Sequence, residues 1–142
     1  MKKNVFDPAL TDVALLSKAG LQATSQRLEL VACLRRGGDR HICAAELHKE
    51  AAASGANISL ATVYNTLNAL ALTGCLRQVH VRPGLTFFDT RTENHPHFYF
   101  SEEGRLTDAP QDSFSIERLP TPPEGTEIIQ VSVVVRLRSA ER

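Results

Sequence analysis

The sequence lacks, or has few of, the residue types and patterns that are typical of several common protein classes. It has no tryptophan, one methionine and three cysteines, Cys33, Cys43 and Cys75. Because the cysteines are odd in number, far apart and never arranged as Cys-x-x-Cys, they argue against a disulfide framework and against a structural zinc site with four thiolates. No apolar run approaches the roughly 20 residues that a membrane-spanning helix needs.

The amino terminus lacks the pattern of a secretory signal peptide. Lys2 and Lys3 are followed by Asp7, Pro8 and Asp12 before any long apolar segment begins, whereas a signal peptide places an apolar core directly after its basic residues. Together with the cysteine usage, this predicts a cytoplasmic protein that has no membrane partner.

An excess of one charge is also lacking, since 16 Lys and Arg residues balance 16 Asp and Glu residues. Their distribution is uneven: through Thr90 ten basic residues stand against seven acidic ones, a balance of +3, and from Arg91 onward six stand against nine, a balance of −3. A basic half joined to an acidic half indicates one part that faces nucleic acid and a second part with another role.

The stretch 59–74 contains no charged residue and yet has the marks of a surface helix. Ser59 is a suitable N-cap, and Gly74 suits the left-handed position just past a helix end. A stripe of apolar residues recurs at helical spacing. Its members are Leu60, Val63, Leu67 and Leu70.

The polar face of this helix carries Thr62, Tyr64, Asn65 and Asn68, where an ordinary surface helix carries Glu and Lys. Asn bonds well to adenine, and Tyr or Thr can lie against a thymine methyl group. The face therefore predicts a DNA recognition helix. A core helix with a polar outer side remains the alternative when this helix is considered alone.

Three helices are predicted before it. The first begins at Thr11 or Asp12 and is stopped by Gly20, the second runs from Thr24 or Ser25 to about Arg35, and the third covers 44–53. Gly37-Gly38-Asp39 marks a break between the second and third. Two helices, a short turn and a polar-faced helix follow the order of a helix-turn-helix.

The segment after Gly74 changes to the alternation of strands. Residues 76–81 and 85–89 flank the turn Arg82-Pro83-Gly84 and predict a hairpin, which after a helix-turn-helix is the wing of a winged helix. Arg82 at its turn is suitably placed for a DNA phosphate.

The second half is short and rich in predicted strands. We expect them over 97–100, 105–107 and 114–117, with a final β-branched strand over 127–138 that is buried on at least one face. Because so few strands make a thin core, and small domains often gain stability by oligomerisation, we predict a dimerisation domain. The predicted boundaries are 1–90 for the winged-helix DNA-binding domain, 91–94 for the linker and 95–142 for the dimerisation and regulatory domain.

Five residues near the linker are potential metal ligands. His95 and His97 are two apart, so that on an extended strand they point to the same side. Imidazole and carboxylate ligands suit Fe²⁺, Mn²⁺ or Zn²⁺ without choosing among them. A His-x-His pair beside a proline also occurs on ordinary protein surfaces, which is the alternative. The candidate set is His41, Asp89, His95, His97 and Asp108.

Several of these motifs together resemble the ferric uptake regulator family of bacterial metalloregulators. The most specific is Ser59–Leu67, followed about thirty residues later by His95-Pro96-His97. The resemblance covers most of the chain from about Lys18. Its other segments are Lys18–Leu21, Gln26-Arg27, Arg40–Ile42, Phe87–Asp89 and Asn94.

The resemblance implies an α+β fold, with an N-terminal winged-helix DNA-binding domain and a small C-terminal α/β dimerisation domain. It implies that the five candidate ligands form the family's regulatory metal site. It also implies DNA contacts from Lys18 in the minor groove, from Tyr64 and Asn65 in the major groove, and from Arg27 on the backbone.

The sequence departs from the family pattern in three places. It lacks the Cys-x-x-Cys pairs of the structural zinc site, and Pro96 cannot act as a ligand in a second family site that uses the positions of Asn94 and Pro96. The chain looks most like the iron response regulator branch, which senses haem or iron. Members of that branch often carry a His-His-His run, where this chain has Asn94-His95-Pro96-His97, and sometimes a Cys-Pro haem motif, which is absent. His95 and His97 remain candidate axial haem ligands.

We therefore predict a homodimeric, iron-, haem- or metal-responsive transcriptional regulator that binds A·T-rich inverted repeats in double-stranded DNA and is not an enzyme. Two alternatives remain. One is a winged-helix repressor that needs no metal, and the other is a small metal-dependent hydrolase, which would require an open coordination position and a general base.

Overall fold

The structure is a computed structural model that describes residues 10–36 and 38–140. The amino-terminal tail with Lys2 and Lys3, Gly37 of the predicted break, and the last two residues lie outside that description. The chain divides between Glu93 and Asn94 into two compact units. Among the helices of the described ranges, none combines the length and the apolar character needed to cross a membrane.

Four helices form most of the first unit, and their bounds agree with the predicted ones. They are α1 (Asp12–Lys18), α2 (Ser25–Arg35), α3 (Ala44–Ala53) and α4 (Leu60–Leu72). The predicted caps are present, because the hydroxyls of Thr11, Thr24 and Ser59 each accept a hydrogen bond from a backbone N–H three residues ahead, at 3.1–3.2 Å. These bonds satisfy donors that the first helical turn leaves open.

The buried stripe of α4 is shorter than predicted. Val63, Leu67 and Leu70 are fully buried, but Leu60 is 42% exposed. Leu60 is the first residue of the helix, and helical side chains lean toward the amino terminus. A leucine at this position therefore points past the helix end instead of into the core.

Residues from all four helices build one hydrophobic core in the first unit. Nine large side chains that the helices contribute to this core have no measurable exposure. They are Leu15, Leu16, Leu30, Val31, Leu34, Leu47, Val63, Leu67 and Leu70.

The wing is a three-stranded sheet instead of the predicted two-stranded hairpin. Its strands are β1 (His41–Cys43), β2 (Arg77–Arg82) and β3 (Leu85–Asp89), in the order β1-β3-β2, and both pairings are antiparallel. The prediction missed β1 because three residues are too few to show a two-residue period. Ile42 lies opposite Phe88 in the ladder, and both side chains are buried in the helical core.

The second unit is a small sheet. Its strands are β4 (His97–Phe100), β5 (Arg105–Asp108) and β6 (Val134–Leu137), in the order β5-β4-β6. β4 pairs antiparallel with β5 and parallel with β6. Among the described residues of this unit, the 3-10 turn Gln111–Ser113 is the one helical element.

Two strand predictions in the second unit are wrong. Residues 114–117 form no strand, and Phe114 and Ile116 are 45% and 43% exposed. The last strand covers Val134–Leu137 instead of 127–138, and it is only partly buried. Alternating and β-branched residues favour an extended backbone, but a strand forms only where a neighbouring strand completes its hydrogen bonds.

We expect Leu67→Ala to lower the free energy of unfolding by about 2–5 kcal/mol, because the buried side chain leaves a cavity. Leu72→Ala is the matched control in the same helix, since Leu72 is 88% exposed and its loss should cost within about 0.5 kcal/mol. Urea unfolding followed by circular dichroism measures both. Equal losses for the two variants would contradict this assignment of the core.

Candidate metal centre and DNA-reading surface

The exposed face of α4 presents uncharged side chains to solvent. Tyr64 is 45% exposed, Asn65 is exposed, and α4 contains no Asp, Glu, Lys or Arg. Thr62 is half-buried, and its hydroxyl lies 3.0 Å from that of Ser59 at the cap. Asn68 is engaged locally, because its side-chain oxygen accepts a hydrogen bond from Gln78 at 3.2 Å. Tyr64 and Asn65 are therefore the groups on this face that suit contact with base edges.

The three basic residues predicted to contact DNA lie on three different elements. Lys18 is exposed in the last turn of α1, and Arg82 is exposed at the end of β2. Arg27 is half-buried near the start of α2, and its guanidinium donates a hydrogen bond to the carbonyl of Gln22 at 3.1 Å. Lys18 and Arg82 keep their charges in solvent, whereas Arg27 also helps to hold the segment before α2.

Two of the candidate metal ligands meet in the first unit. His41 on β1 lies directly opposite Asp89 on β3, and the Nε2 atom of His41 is 3.0 Å from Oδ2 of Asp89. The Asp89 side chain is 1% exposed and that of His41 15%. The other carboxylate oxygen of Asp89 accepts the backbone N–H of Arg91 at 2.9 Å. The ladder thus presents one imidazole nitrogen and one oriented carboxylate side by side.

Arg40 holds these two strands in place. Its guanidinium donates to both carboxylate oxygens of Glu50 on α3, at 3.0 and 2.6 Å, and to the carbonyl of Cys33 at 3.0 Å. Its backbone exchanges hydrogen bonds with Thr90, whose hydroxyl accepts at 2.9 Å and whose N–H donates at 3.1 Å. Sequence reasoning assigned no such role to Arg40, Glu50 and Thr90, because pairs so far apart in the chain leave no local pattern.

The other three candidate ligands meet in the second unit. Oδ1 of Asp108 lies 2.8 Å from Nε2 of His95 and 3.6 Å from Nε2 of His97. The side chains of His95 and His97 are 0% and 2% exposed, and that of Asp108 is 34% exposed. His97 faces Asp108 across the β4–β5 pair, and the two imidazole centroids are 4.4 Å apart.

The donor chemistry of both groups fits a divalent first-row metal ion. Each group combines imidazole nitrogen with carboxylate oxygen, the set preferred by Fe²⁺, Mn²⁺ and Zn²⁺. One ligand atom from each of His95, His97 and Asp108 lies within 4.8 Å of the others. Because the donors of each group already face one another, they need little rearrangement to bind an ion.

The cysteines contribute little to this chemistry. Burial raises the pKa of the Cys33 thiol and of the Cys43 thiol above the usual value. Both sulfurs also lie beside a carboxylate, Cys33 at 3.7 Å from Glu29 and Cys43 at 3.1 Å from Glu46. A thiolate is the form that binds metals, and the raised pKa of both thiols disfavours that form.

A cleft of about 250 Å³ opens beside His95 in the second unit. Its walls combine polar groups with apolar side chains from the irregular segments before and after the 3-10 turn. The cleft is smaller than the roughly 300–1,000 Å³ of pockets that enclose drug-sized ligands. Its lining includes Asn94, His95, Gln111, Phe114, Ile116 and Val133.

Comparison with known proteins places this arrangement in a family. The ferric uptake regulator family model matches residues 18–135. The ferric uptake regulation protein of Klebsiella pneumoniae is 30% identical over 104 residues, which cover 72% of this chain and 67% of that protein.

Two solved structures share the fold. The ferric uptake regulator from Pseudomonas aeruginosa with manganese aligns with a TM-score of 0.67 and 21% identity, covering 93% of this chain and 100% of that one. The Campylobacter jejuni peroxide stress regulator aligns with a TM-score of 0.58 and 26% identity, covering 94% and 99%. The predicted α+β class, with a winged-helix domain and a small second domain, is confirmed.

Members of this family bind DNA, are dimeric, and regulate transcription in response to metals; they are not enzymes. The prediction that the chain is not an enzyme is therefore confirmed, and the hydrolase alternative falls away. With the family model spanning more than half of the chain, the protein belongs to the ferric uptake regulator family of metal-responsive transcription regulators.

Proposed function

We propose that a single divalent ion, bound by ligands from both units of the chain, controls DNA binding by a homodimer of this protein. The observation that carries the proposal is a group of histidine and carboxylate donors in each unit, in which the side chains of Asp89, His95 and His97 are almost fully buried. The proposed ligands are His41, Asp89, His95, His97 and Asp108.

Ligand number supports one shared ion over two separate ones. The first unit offers two donors and the second three, whereas transition-metal ions in proteins take about four to six ligands. Only five residues separate Asp89 from His95, so the connecting chain spans at most about 20 Å. Fe²⁺, Mn²⁺ and Zn²⁺ all accept this donor set.

A shared ion would couple metal binding to DNA binding. The proposed DNA-binding domain is 1–90, the linker is 91–94, and the dimerisation domain is 95–142. Ligands on both sides of the linker would restrict how the DNA-binding domain turns against the dimer, and thus how two recognition helices meet a palindrome. The ion then shifts the population of binding-competent dimers by its differential affinity for that state.

On DNA we propose an A·T-rich inverted repeat as the target. Tyr64, Asn65 and Thr62 would face the major groove, where Asn reads adenine and an aromatic ring contacts the thymine methyl. Lys18 would enter the minor groove, and Arg27 and Arg82 would contact phosphates. A protein that reaches chromosomal DNA in this way acts in the cytoplasm.

The proposed effector depends on the branch of the family to which the chain belongs. We place the chain in the iron response regulator branch, with iron or haem genes as targets. His95 and His97 are also the proposed haem ligands in that case. The cleft beside His95, at about 250 Å³, favours a metal ion over a macrocycle as large as haem.

The first experiment measures the affinity for an A·T-rich inverted repeat at fixed salt with metal-free, Mn²⁺-loaded and haem-treated protein. We expect Mn²⁺ to change the dissociation constant by about 5- to 150-fold, the range of typical allosteric coupling. A metal-independent repressor would bind equally in all three states. Loss of binding with haem alone would instead identify haem as the effector.

Tyr64→Ala should weaken binding to the inverted repeat by about tenfold and leave binding to unrelated DNA almost unchanged, because one base contact is worth about 1–3 kcal/mol. Tyr64→Phe is the matched control that keeps the ring. Arg82→Ala should weaken both DNAs alike and reduce the salt slope by about 1. Equal loss on both DNAs for Tyr64→Ala would rule out a base-reading role.

Replacing His95 and His97 together by Ala should weaken Mn²⁺ binding at least about 100-fold, more than the loss of an outer-shell partner costs. Titration calorimetry gives affinity and stoichiometry. His80→Ala is the matched control, because His80 is exposed on β2 and bonds to Thr86 at 2.8 Å. His41→Ala should weaken the same single Mn²⁺ site. Two ions per chain, with His41→Ala affecting only one of them, would contradict a shared site.

A further inference from the structure

A row of three side chains crosses the wing sheet at Asp89. The β1–β3 ladder places His41 opposite Asp89, and the β2–β3 ladder places Arg77 opposite the same residue. Directly opposed residues of antiparallel strands project to the same face of a sheet. Asp89 therefore lies between an imidazole on one neighbouring strand and a guanidinium on the other.

The positive charge of this row is buried. Arg77 is 8% exposed and Asp89 1%. Burial lowers the pKa of the Arg77 guanidinium, and the charge of Asp89 acts in the opposite direction. A guanidinium stays protonated in proteins under ordinary conditions, so Arg77 brings a permanent positive charge to the candidate ligand Asp89.

Arg91 follows Asp89 by two residues in the sequence and has a different role from Arg77. It contacts the Asp89 carboxylate through its backbone N–H, while its side chain forms an ion pair with Glu93 at 2.5 Å. The guanidinium of Arg91 thus has a carboxylate partner in Glu93, two residues away. The charge of Arg77 acts on the Asp89 carboxylate, in a buried setting where charges are weakly screened.

We propose that Arg77 sets the metal affinity of the regulatory site: its buried positive charge attracts the Asp89 carboxylate in the metal-free protein and repels the divalent ion that competes for the same carboxylate. The inference rests on the proposed function, because it requires that Asp89 is a metal ligand. Arg77 is then a positioning residue that offers no ligand atom itself. It raises the metal concentration at which the site fills.

The test compares Mn²⁺ affinities of the full-length protein by titration calorimetry at fixed pH and salt. Arg77→Met and Arg77→Gln remove the charge, and Arg77→Lys keeps it. We expect both neutral variants to bind Mn²⁺ about tenfold more tightly than the wild type, since one nearby charge commonly changes an ionisation equilibrium by about one to three powers of ten. Arg77→Lys should stay within about threefold of the wild type.

Arg82→Gln is the matched control, because it removes the same charge from the same strand at an exposed position, opposite Leu85 instead of Asp89. It should leave Mn²⁺ affinity unchanged. Circular dichroism and thermal unfolding of the metal-free proteins check folding, and the polar Arg77→Gln serves if Arg77→Met does not fold.

The outcomes distinguish the role of Arg77 from the existence of the metal site. Tighter Mn²⁺ binding in the neutral variants, reversed in Arg77→Lys, supports the inference, since a merely structural role of Arg77 would weaken binding. Unchanged or weaker binding in a folded neutral variant overturns the role of Arg77 and leaves the metal site standing. A wild-type protein that binds no Mn²⁺, Fe²⁺ or Zn²⁺ overturns the proposed site and this inference with it.

Discussion

The pairing of β1 with β3 is the contact on which the first unit depends. Through Ile42 and Phe88 it joins the wing to the helical core, and through His41 and Asp89 it presents two metal-ligand types at one point. Arg40 and Thr90 extend the same ladder by one step, and Glu50 ties it to α3. Because one short ladder does both, a change that loosened the wing would also separate the imidazole from the carboxylate.

The groups around Asp89 explain how its buried carboxylate is stabilised. A buried carboxylate alone is costly, since it loses its hydration. Here the carboxylate accepts a backbone N–H from Arg91, lies 3.0 Å from an imidazole, and feels the charge of Arg77. The second unit solves the problem differently, with two buried imidazoles around the more exposed carboxylate of Asp108. Both groups are therefore compatible with a folded chain that has no ion bound, as the proposed metal response requires.

The exposed face of α4, the proposed recognition surface, follows a simpler rule. The core needs only one side of α4, so Val63, Leu67 and Leu70 are buried while Tyr64 and Asn65 stay exposed. The exposed side is then free to carry uncharged groups that suit base edges. Ser59 defines where this helix begins, through a hydrogen bond to the backbone of Thr62, and thereby which residues face outward.

The sequence by itself determined the four helices, their caps, the hairpin, the polar face of α4 and the candidate ligands. These features depend on spacings of a few residues, so they can be predicted from the local sequence pattern. Only the tertiary structure decided that β1 exists, that Arg77 and His41 flank Asp89, and that β6 is short and parallel to β4. These depend on which strands become neighbours across tens of residues. Strand pairing of that kind is decided by packing of the whole unit, and a β-branched run such as 127–138 shows only that an extended backbone is favoured.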